Sequence, residues 1–227
     1  FAVSFTNTTL NGVNYLWRFG TVPTATSNLS NPSFTYQNST QNNATYTVTL
    51  LALTGAGCAD SIKKVVSVYP QPVASFTTST ASGCAPVAIT FTDTSLGATT
   101  YSWTLGDGAT STQSLVIHTY TNTGLTQVIR TVSLLVTNSV GCQHSYTAQI
   151  FVNPSPVAVF SISPASGCSP LQVGFSPALG AISYTWNYGD GSANDTLLSP
   201  PFSHLYTQQG NFDVKLKIFD NYGCYDT

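Results

Sequence analysis

Glutamate and methionine are absent from these 227 residues, and charged side chains of every kind make up only 6%. The six Lys and Arg face eight acidic residues, all of them aspartate, for a formal net charge of -2. No basic stripe exists to neutralise phosphates, which excludes a nucleic-acid partner and leaves nothing to attract an anionic membrane. No apolar run approaches the roughly 18 residues of a helical membrane span, so direct membrane insertion is not expected. The chain opens on Phe1 without an apolar leader, which places any targeting signal outside this segment. Three His, no Glu and scattered Asp leave few parts for acid–base chemistry. Nothing resembles a catalytic triad, a nucleophile elbow, a phosphate loop or a clustered metal site, so neither an enzyme nor a cofactor is expected.

What is present is apolar and repetitive. Hydrophobic residues reach 42% and aromatics 12%, enough for more than one small core. Tyr15-Leu16-Trp17-Arg18-Phe19-Gly20 recurs as Tyr101-Ser102-Trp103-Thr104-Leu105-Gly106 and as Tyr184-Thr185-Trp186-Asn187-Tyr188-Gly189, at a spacing of a little over eighty residues. A fixed period of this kind identifies a tandem array. Gly57-Cys58, Gly141-Cys142 and Gly223-Cys224 keep the same order, as do Gly83-Cys84-Ala85-Pro86 and Gly167-Cys168-Ser169-Pro170. Aligning Phe5 with Phe91 and Phe175 predicts three repeats at 1–70, 71–154 and 155–227, the first truncated at its N-terminus and the last at its C-terminus. The odd count of five cysteines follows from those cuts.

Apolar residues alternate with period two in Val48-Leu50-Ala52, Val132-Leu134-Val136 and Val214-Leu216-Ile218, the pattern of half-buried strands. In the middle repeat strands are expected over 73–78, 87–92, 100–105, 115–120 and 146–152, with no helix. The fold class is all-β: tandem immunoglobulin-like antiparallel β-sandwiches in a rod-like array, each with a Trp in its third strand. The junctions Tyr69-Pro70-Gln71-Pro72 and Asn153-Pro154-Ser155-Pro156 carry two prolines each and no flexible tether, which stiffens them. Trp17, Trp103 and Trp186 are expected in the cores, against Leu50, Leu134 and Leu216, rather than exposed for sugar stacking.

The run Tyr101 to Gly108, containing Gly106-Asp107-Gly108 and followed by His118-Thr119-Tyr120, resembles the signature of the polycystic kidney disease (PKD) domain. Tyr184 to Gly191 with His204-Leu205-Tyr206 repeats it. The first copy departs, with Thr21 after Gly20 and Phe34-Thr35-Tyr36 in place of the His motif, so its turn is expected to differ. The resemblance spans essentially the whole chain and implies the PKD-type sandwich. The Gly-Cys elements further resemble the PKD repeats of very large Bacteroidota surface proteins exported by the type IX route, gliding-motility adhesins among them. That likeness implies an extracellular stalk or filament at the cell surface. Its partners would be neighbouring repeats of the same polypeptide, and surface polysaccharide or other filament proteins. The alternatives are a spacer or substrate-binding accessory region of a secreted hydrolase, or direct ligand binding by the loops that follow Tyr36 and Tyr120.

Asp107 with Gly108 and Asp190 with Gly191 suit tight turns, Gly supplying positive φ and Asp bonding its own backbone, better than a calcium site needing six to eight oxygens. His118 and His204 occupy equivalent repeat positions, which points to anchoring a strand end. His144 has no counterpart. Five Asn-x-Ser/Thr sequons and two Asp-Ser/Thr-apolar triplets arise readily by chance in so Thr- and Asn-rich a chain. The extracellular setting and the lack of Cys-x-x-Cys favour disulfides over metal. In an immunoglobulin-like sandwich Cys84 falls at the C-terminal end of its repeat and Cys142 at the N-terminal end, about 30 Å apart, beyond a disulfide's reach of about 7 Å. Cys84 is therefore expected to bridge to Cys224 across the junction, leaving Cys58, Cys142 and Cys168 for partners outside the fragment. The rival connectivity is Cys84 to Cys142 with Cys168 to Cys224.

Overall fold

The computed structural model describes residues 2–178 and 180–227. No helix occurs among them, and the strands fall into three successive groups. The first group holds β1 (Ala2–Ser4), β2 (Asn14–Arg18), β3 (Thr26–Ser27), β4 (Ser33–Thr35), β5 (Ala44–Leu53) and β6 (Ala59–Val68). The second holds β7 (Phe76–Thr78), β8 (Ser82–Cys84), β9 (Val87–Asp93), β10 (Thr100–Thr104), β11 (Thr110–Ser111), β12 (Leu115–Tyr120), β13 (Val128–Thr137) and β14 (Gln143–Asn153). The third holds β15 (Phe160–Ser163), β16 (Leu171–Pro177), β17 (Ser183–Asn187), β18 (Asp195–Leu197), β19 (Phe202–Tyr206), β20 (Lys215–Phe219) and β21 (Tyr225–Asp226).

Each group is a sandwich of two sheets. In the second unit β12-β9-β7 covers β11-β10-β13-β14-β8; in the third, β15-β16-β19 covers β18-β17-β20-β21; in the first, β1-β4 covers β3-β2-β5-β6. The fold is thus the expected all-β, immunoglobulin-like tandem array. Period-two alternation places Val132, Leu134 and Val136 of β13 inward, fully buried, while Ser133 and Leu135 between them turn to the other face and are half-buried. Trp103 lies opposite Leu134 in the β10–β13 ladder, as Trp17 lies opposite Leu50 and Trp186 opposite Leu216. Trp103 and Trp186 are 0% exposed. Phe76 and Phe91 close over Trp103 at centroid distances of 5.0 and 6.0 Å, and Phe160 and Phe175 over Trp186 at 5.1 and 5.0 Å. Burying an indole removes roughly 150–250 Å² from water, an upper bound of about 4–6 kcal/mol for each core.

Two further contacts recur in every unit and hold its two sheets in register. After the Trp strand the chain turns at Gly20, Gly106 or Gly189, all with φ between 75° and 81°. A β-carbon on Gly106 would lie 2.7 Å from the Thr131 carbonyl oxygen, and the other two positions meet Thr47 and Asp213 at 2.6 Å. Only glycine permits that approach. Immediately before it, a buried tyrosine from the opposite sheet donates its hydroxyl to a carbonyl: Tyr36 to Phe19 (3.1 Å), Tyr120 to Leu105 (2.8 Å) and Tyr206 to Tyr188 (3.0 Å). Burial pushes the Tyr120 hydroxyl up to about 12, so these bonds keep their proton through the neutral range.

The strands differ from expectation in detail. Residue 73 forms only an isolated bridge with Leu96, and β7 begins at Phe76. The last strand of the middle unit starts at Gln143, because the turn before it is tighter than the apolar pattern shows. The short β8 and β11 carry too few residues to alternate visibly, and counting β8 puts Trp103 on the fourth strand of its unit. The sandwich is also not wholly antiparallel: Ser82–Cys84 runs parallel to Phe151–Asn153. Here Ser79 still bonds Thr90 in one sheet while Ala81 accepts from Phe151 in the other, so the first strand crosses between sheets.

Replacing Gly106 with Ala is expected to destabilise the middle unit by about 2–3 kcal/mol through positive-φ strain and the carbonyl clash. Trp103→Ala is expected to cost about 3–5 kcal/mol. Amide exchange resolved by unit checks both, and equal protection of the middle unit in variant and parent would refute the account.

Candidate functional site at the junction between units

Cys84 and Cys224 are joined by a disulfide, with Cα atoms 5.6 Å apart and 140 residues between them in sequence. The parallel pairing of β8 with the end of β14 carries Cys84 to the C-terminal end of the second unit. Cys224 lies in the turn that precedes β21, at the N-terminal end of the third. It is buried, and its N–H, with that of Tyr222, is held by Asp220 Oδ1 at 2.8 Å. Asp220 Oδ2 is buried without a hydrogen-bond partner among the described residues. Polar side chains finish the joint. The Ser155 hydroxyl donates to the Ala85 carbonyl, the Ala85 N–H to the Asn153 carbonyl (3.0 Å), and Gln127 Nε2 to Asn153 Oδ1 (2.7 Å).

The preceding junction uses the same positions. Asn138, the counterpart of Asp220, accepts from the Val140 and Cys142 N–H groups and donates Nδ2 to the Pro70 carbonyl at 3.0 Å. Gln71 Nε2 donates to the Gln143 carbonyl at 2.8 Å. His144, without a counterpart in sequence, accepts the Ala74 N–H on Nδ1 at 2.9 Å, where Asp226 accepts the Ala158 N–H at 2.7 Å in the third unit. Cys142 lines a cavity of about 340 Å³ beside Val68 and Tyr69, the end of β6. That place corresponds to the one Cys84 occupies beside β14. Cys58, Cys142 and Cys168 are free thiols, the first and last of them exposed.

The Gly-Asp-Gly residues form a second polar feature, on the open edge of each sandwich. Asp107 Oδ1 accepts the Ala109 N–H (3.1 Å) and Asp190 Oδ1 the Ser192 N–H (3.0 Å). Gly106, Gly108, Gly189 and Gly191 all have positive φ. The other carboxylate oxygen accepts from a histidine on the facing sheet: His118 Nε2 at 2.6 Å and His204 Nε2 at 2.7 Å. Both oxygens of each carboxylate are therefore engaged, and no cluster of three or more His, Cys, Asp or Glu suited to a metal exists among the described residues. In the first unit Thr21 Oγ1 accepts the Ala25 N–H, and Phe34, at the histidine position, stacks on Phe19 at 4.4 Å. His204 combines both contacts, stacking on Tyr188 at 4.0 Å while it holds Asp190. Among the described residues these two His–Asp contacts are the only ion pairs.

Hydrogen bonds from Ser192 and His204 hold the Asp190 carboxyl well below the usual carboxylate range. Burial would raise Asp107, and the bonds from His118 and the Ala109 N–H outweigh it. A depressed carboxyl stabilises the fold fully above its unfolded value, about 3.9, and that contribution is lost as pH falls through the folded value. Asp190→Asn is expected to cost the third unit about 1–2 kcal/mol at pH 6 and to flatten its loss of stability below pH ~4. Urea melts between pH 6 and 2 decide this, and an unchanged acid slope in the variant would count against the clasp.

Comparison with known proteins follows the repeat. The PKD domain family matches residues 67–153 and 152–227. Among solved structures, the PKD1 domain of the Vibrio cholerae metalloprotease PrtV is 25% identical over 37% of this chain and 99% of its own, with a TM-score of 0.32. The matching domain of Vibrio anguillarum Epp is also 25% identical, over 37% of this chain and 96% of its own, at a TM-score of 0.32. A structure from a 1.5-MDa bacterial ice-binding adhesin is 13% identical over 99% of this chain and 87% of its own, at 0.35. With the family match spanning most of the sequence and two tandem Trp-Gly-Asp-Gly sandwiches within it, the chain belongs to the PKD domain family.

Proposed function

We propose that the chain is a stalk segment of a large extracellular adhesin, divided into repeats at 1–70, 71–154 and 155–227, that carries tension along its strands and disulfides. The supporting observation is the position of the Cys84–Cys224 bond relative to strand direction. The first strand of the second unit runs from the Pro72 junction to Cys84, and the last strand of the third unit follows Cys224. A pull on the two ends of this chain travels through the residues up to Cys84, across the sulfurs, and out through Cys224. The residues between them, most of two sandwiches, lie in a closed loop outside the path of the force.

The same step repeated along an array makes each unit a bead between covalent links. Cys142 then pairs with the repeat before its neighbouring junction, Cys168 with the repeat that follows, and Cys58 with a repeat further upstream. The cavity that Cys142 lines at the end of β6 supports the first of these pairings. Two prolines per junction and direct side chain–backbone bonds across it support a stiff rod over a flexible string. The narrower assignment, a Bacteroidota gliding or attachment filament exported by the type IX route and contacting polysaccharide or other filament proteins, rests on the Gly-Cys elements added to the PKD pattern.

Single-molecule pulling by the two chain ends tests the force path. Reduction is expected to lengthen the fully unfolded chain by roughly 460–500 Å, the extended length of the residues between Cys84 and Cys224 at about 3.3–3.6 Å each. Equal contour lengths with and without reductant, or a Cys84–Cys142 peptide in a non-reducing digest, would reject it.

A further inference from the structure

The outward faces of the larger sheets are built mainly of Thr, Ser and Leu, and one patch in the third unit differs. On β20 the buried Leu216 and Ile218 alternate with Lys215, Lys217 and Phe219, which turn away from the core. Tyr225 of β21 lies opposite Phe219, and the two rings stand 5.7 Å apart. The Lys217 ammonium sits over both of them, 4.3 Å from the Tyr225 centroid and 4.8 Å from that of Phe219. The equivalents of Lys217, Phe219 and Tyr225 are Leu51, Leu53 and Ala59 in the first unit and Leu135, Thr137 and Gln143 in the second, so this grouping belongs to the third unit alone. Leu135, Thr137 and Gln143, which lie alongside or within the 11-residue β14, match the three residues in degree of exposure. The face is therefore open by its place in the sandwich.

The Lys217 ammonium has no acidic partner among the described residues. Asp195 of β18 lies opposite the buried Trp186, and Asp226 of β21 accepts the Ala158 N–H, so both belong to the other side of the sheet. Asp213 precedes Lys215 by two residues and borders only that end of the face. Beside Lys217, across the β17–β20 ladder, stands Thr185, whose hydroxyl lies 3.2 Å from that of Thr196. Contact with two rings restricts the lysine before any ligand arrives and leaves its charge unneutralised. Tyr225 remains 60% exposed. A flat apolar ring, a pair of hydroxyls and a fixed cation together match a pyranose that bears a carboxylate, which offers a C–H face, hydroxyls and an anion. Because β20 is paired on both sides, by β17 and β21, it leaves no free ladder for a peptide strand.

We propose that the patch of Lys217, Phe219, Tyr225 and Thr185 is a binding site for an acidic polysaccharide, a polyuronate. A uronate carboxylate meets the Lys217 ammonium, the sugar ring lies along Tyr225, and its hydroxyls meet Thr185. The charge of the neighbouring surface favours such a partner: Lys215 stands on the same face, and in the first unit Arg18 and Lys63 flank Thr49 on the equivalent face. The inference rests on the polysaccharide contact proposed above and not on the force path, so contour length and glycan binding fail independently.

The test passes the full chain over immobilised polygalacturonate, whose many equivalent groups strengthen a weak contact, and over the same polymer with its carboxyl groups reduced to alcohols. Retention is expected to be at least tenfold stronger on the acidic polymer. Lys217→Gln, an exchange on the sheet surface that leaves the core untouched, is expected to weaken it at least tenfold. Tyr225→Ala is expected to weaken it at least threefold, while Tyr225→Phe, which keeps the ring, retains it. Amide shifts with a hexamer of galacturonic acid are expected at Thr185, Lys217, Phe219 and Tyr225. The proposal is overturned by absence of retention, by equal retention on the reduced polymer, or by a Lys217→Gln variant that binds as the parent does. Loss of binding in Lys63→Gln alone would move the site to the first unit, and equal binding of an oligo-aspartate would make the partner an acidic protein. Either result would overturn it as well.

Discussion

One close contact governs each sandwich: Gly20 and Gly106 lie against the backbone of the strand that pairs with the Trp strand, at Thr47 and Thr131, and Gly189 lies against Asp213, just ahead of that strand. Because no side chain intervenes, the turn folds down onto the ladder and offers the preceding carbonyl to a tyrosine hydroxyl from the facing sheet. The same fold of the chain brings the next residue over the open edge, where Asp107 and Asp190 meet histidines. The indole buried three residues before the turn glycine is thereby locked between the sheets. Positions far apart in sequence are held by one steric allowance and a few hydrogen bonds.

Much of this is legible in the order of the amino acids. Period-two alternation identifies the central strands, and the thrice-repeated Trp and Gly identify the unit. The aspartate and histidine positions are visible as equivalent residues, but their pairing is not, since it spans two sheets whose facing depends on packing. The tyrosines two residues beyond His118 and His204 carry a signal in their constant offset, and their role becomes clear only with the carbonyl they reach. The parallel β8 is illegible: three residues of Ser, Gly and Cys have no alternation, and their direction depends on the chain having crossed between sheets. The first unit shows how a departure in sequence is absorbed. Phe34 replaces a histidine and Thr21 an aspartate, and stacking on Phe19 substitutes for the carboxylate contact on the same edge.

The junctions follow a different logic from the cores. A sandwich end exposes turn carbonyls and N–H groups that need partners once another unit covers them. Asn138, Gln71, Ser155 and Gln127 supply those partners across the joints or at their rim. The prolines between units contribute no backbone donor and so leave fewer groups to satisfy. The disulfide ties the two unit ends covalently, and β8 is the element that puts the sulfur within reach.

The scarcity of ion pairs has a consequence for the medium in which such a chain works. Apart from two short His–Asp contacts, the disulfide and a few Asp carboxylates that accept backbone N–H groups, the described residues are held mostly by apolar packing and by neutral side chains bonded to backbone. Dissolved salt screens interactions between exposed charges, over about 10 Å at 0.1 M and about 3 Å at 1 M, and has little purchase on packed rings or amide–carbonyl bonds. Moving from fresh water to brine therefore changes few of the forces that shape these units, and the surface of Thr, Ser and Asn presents almost no field to attract or repel counter-ions. The chain's form is decoupled from the ionic strength of its surroundings.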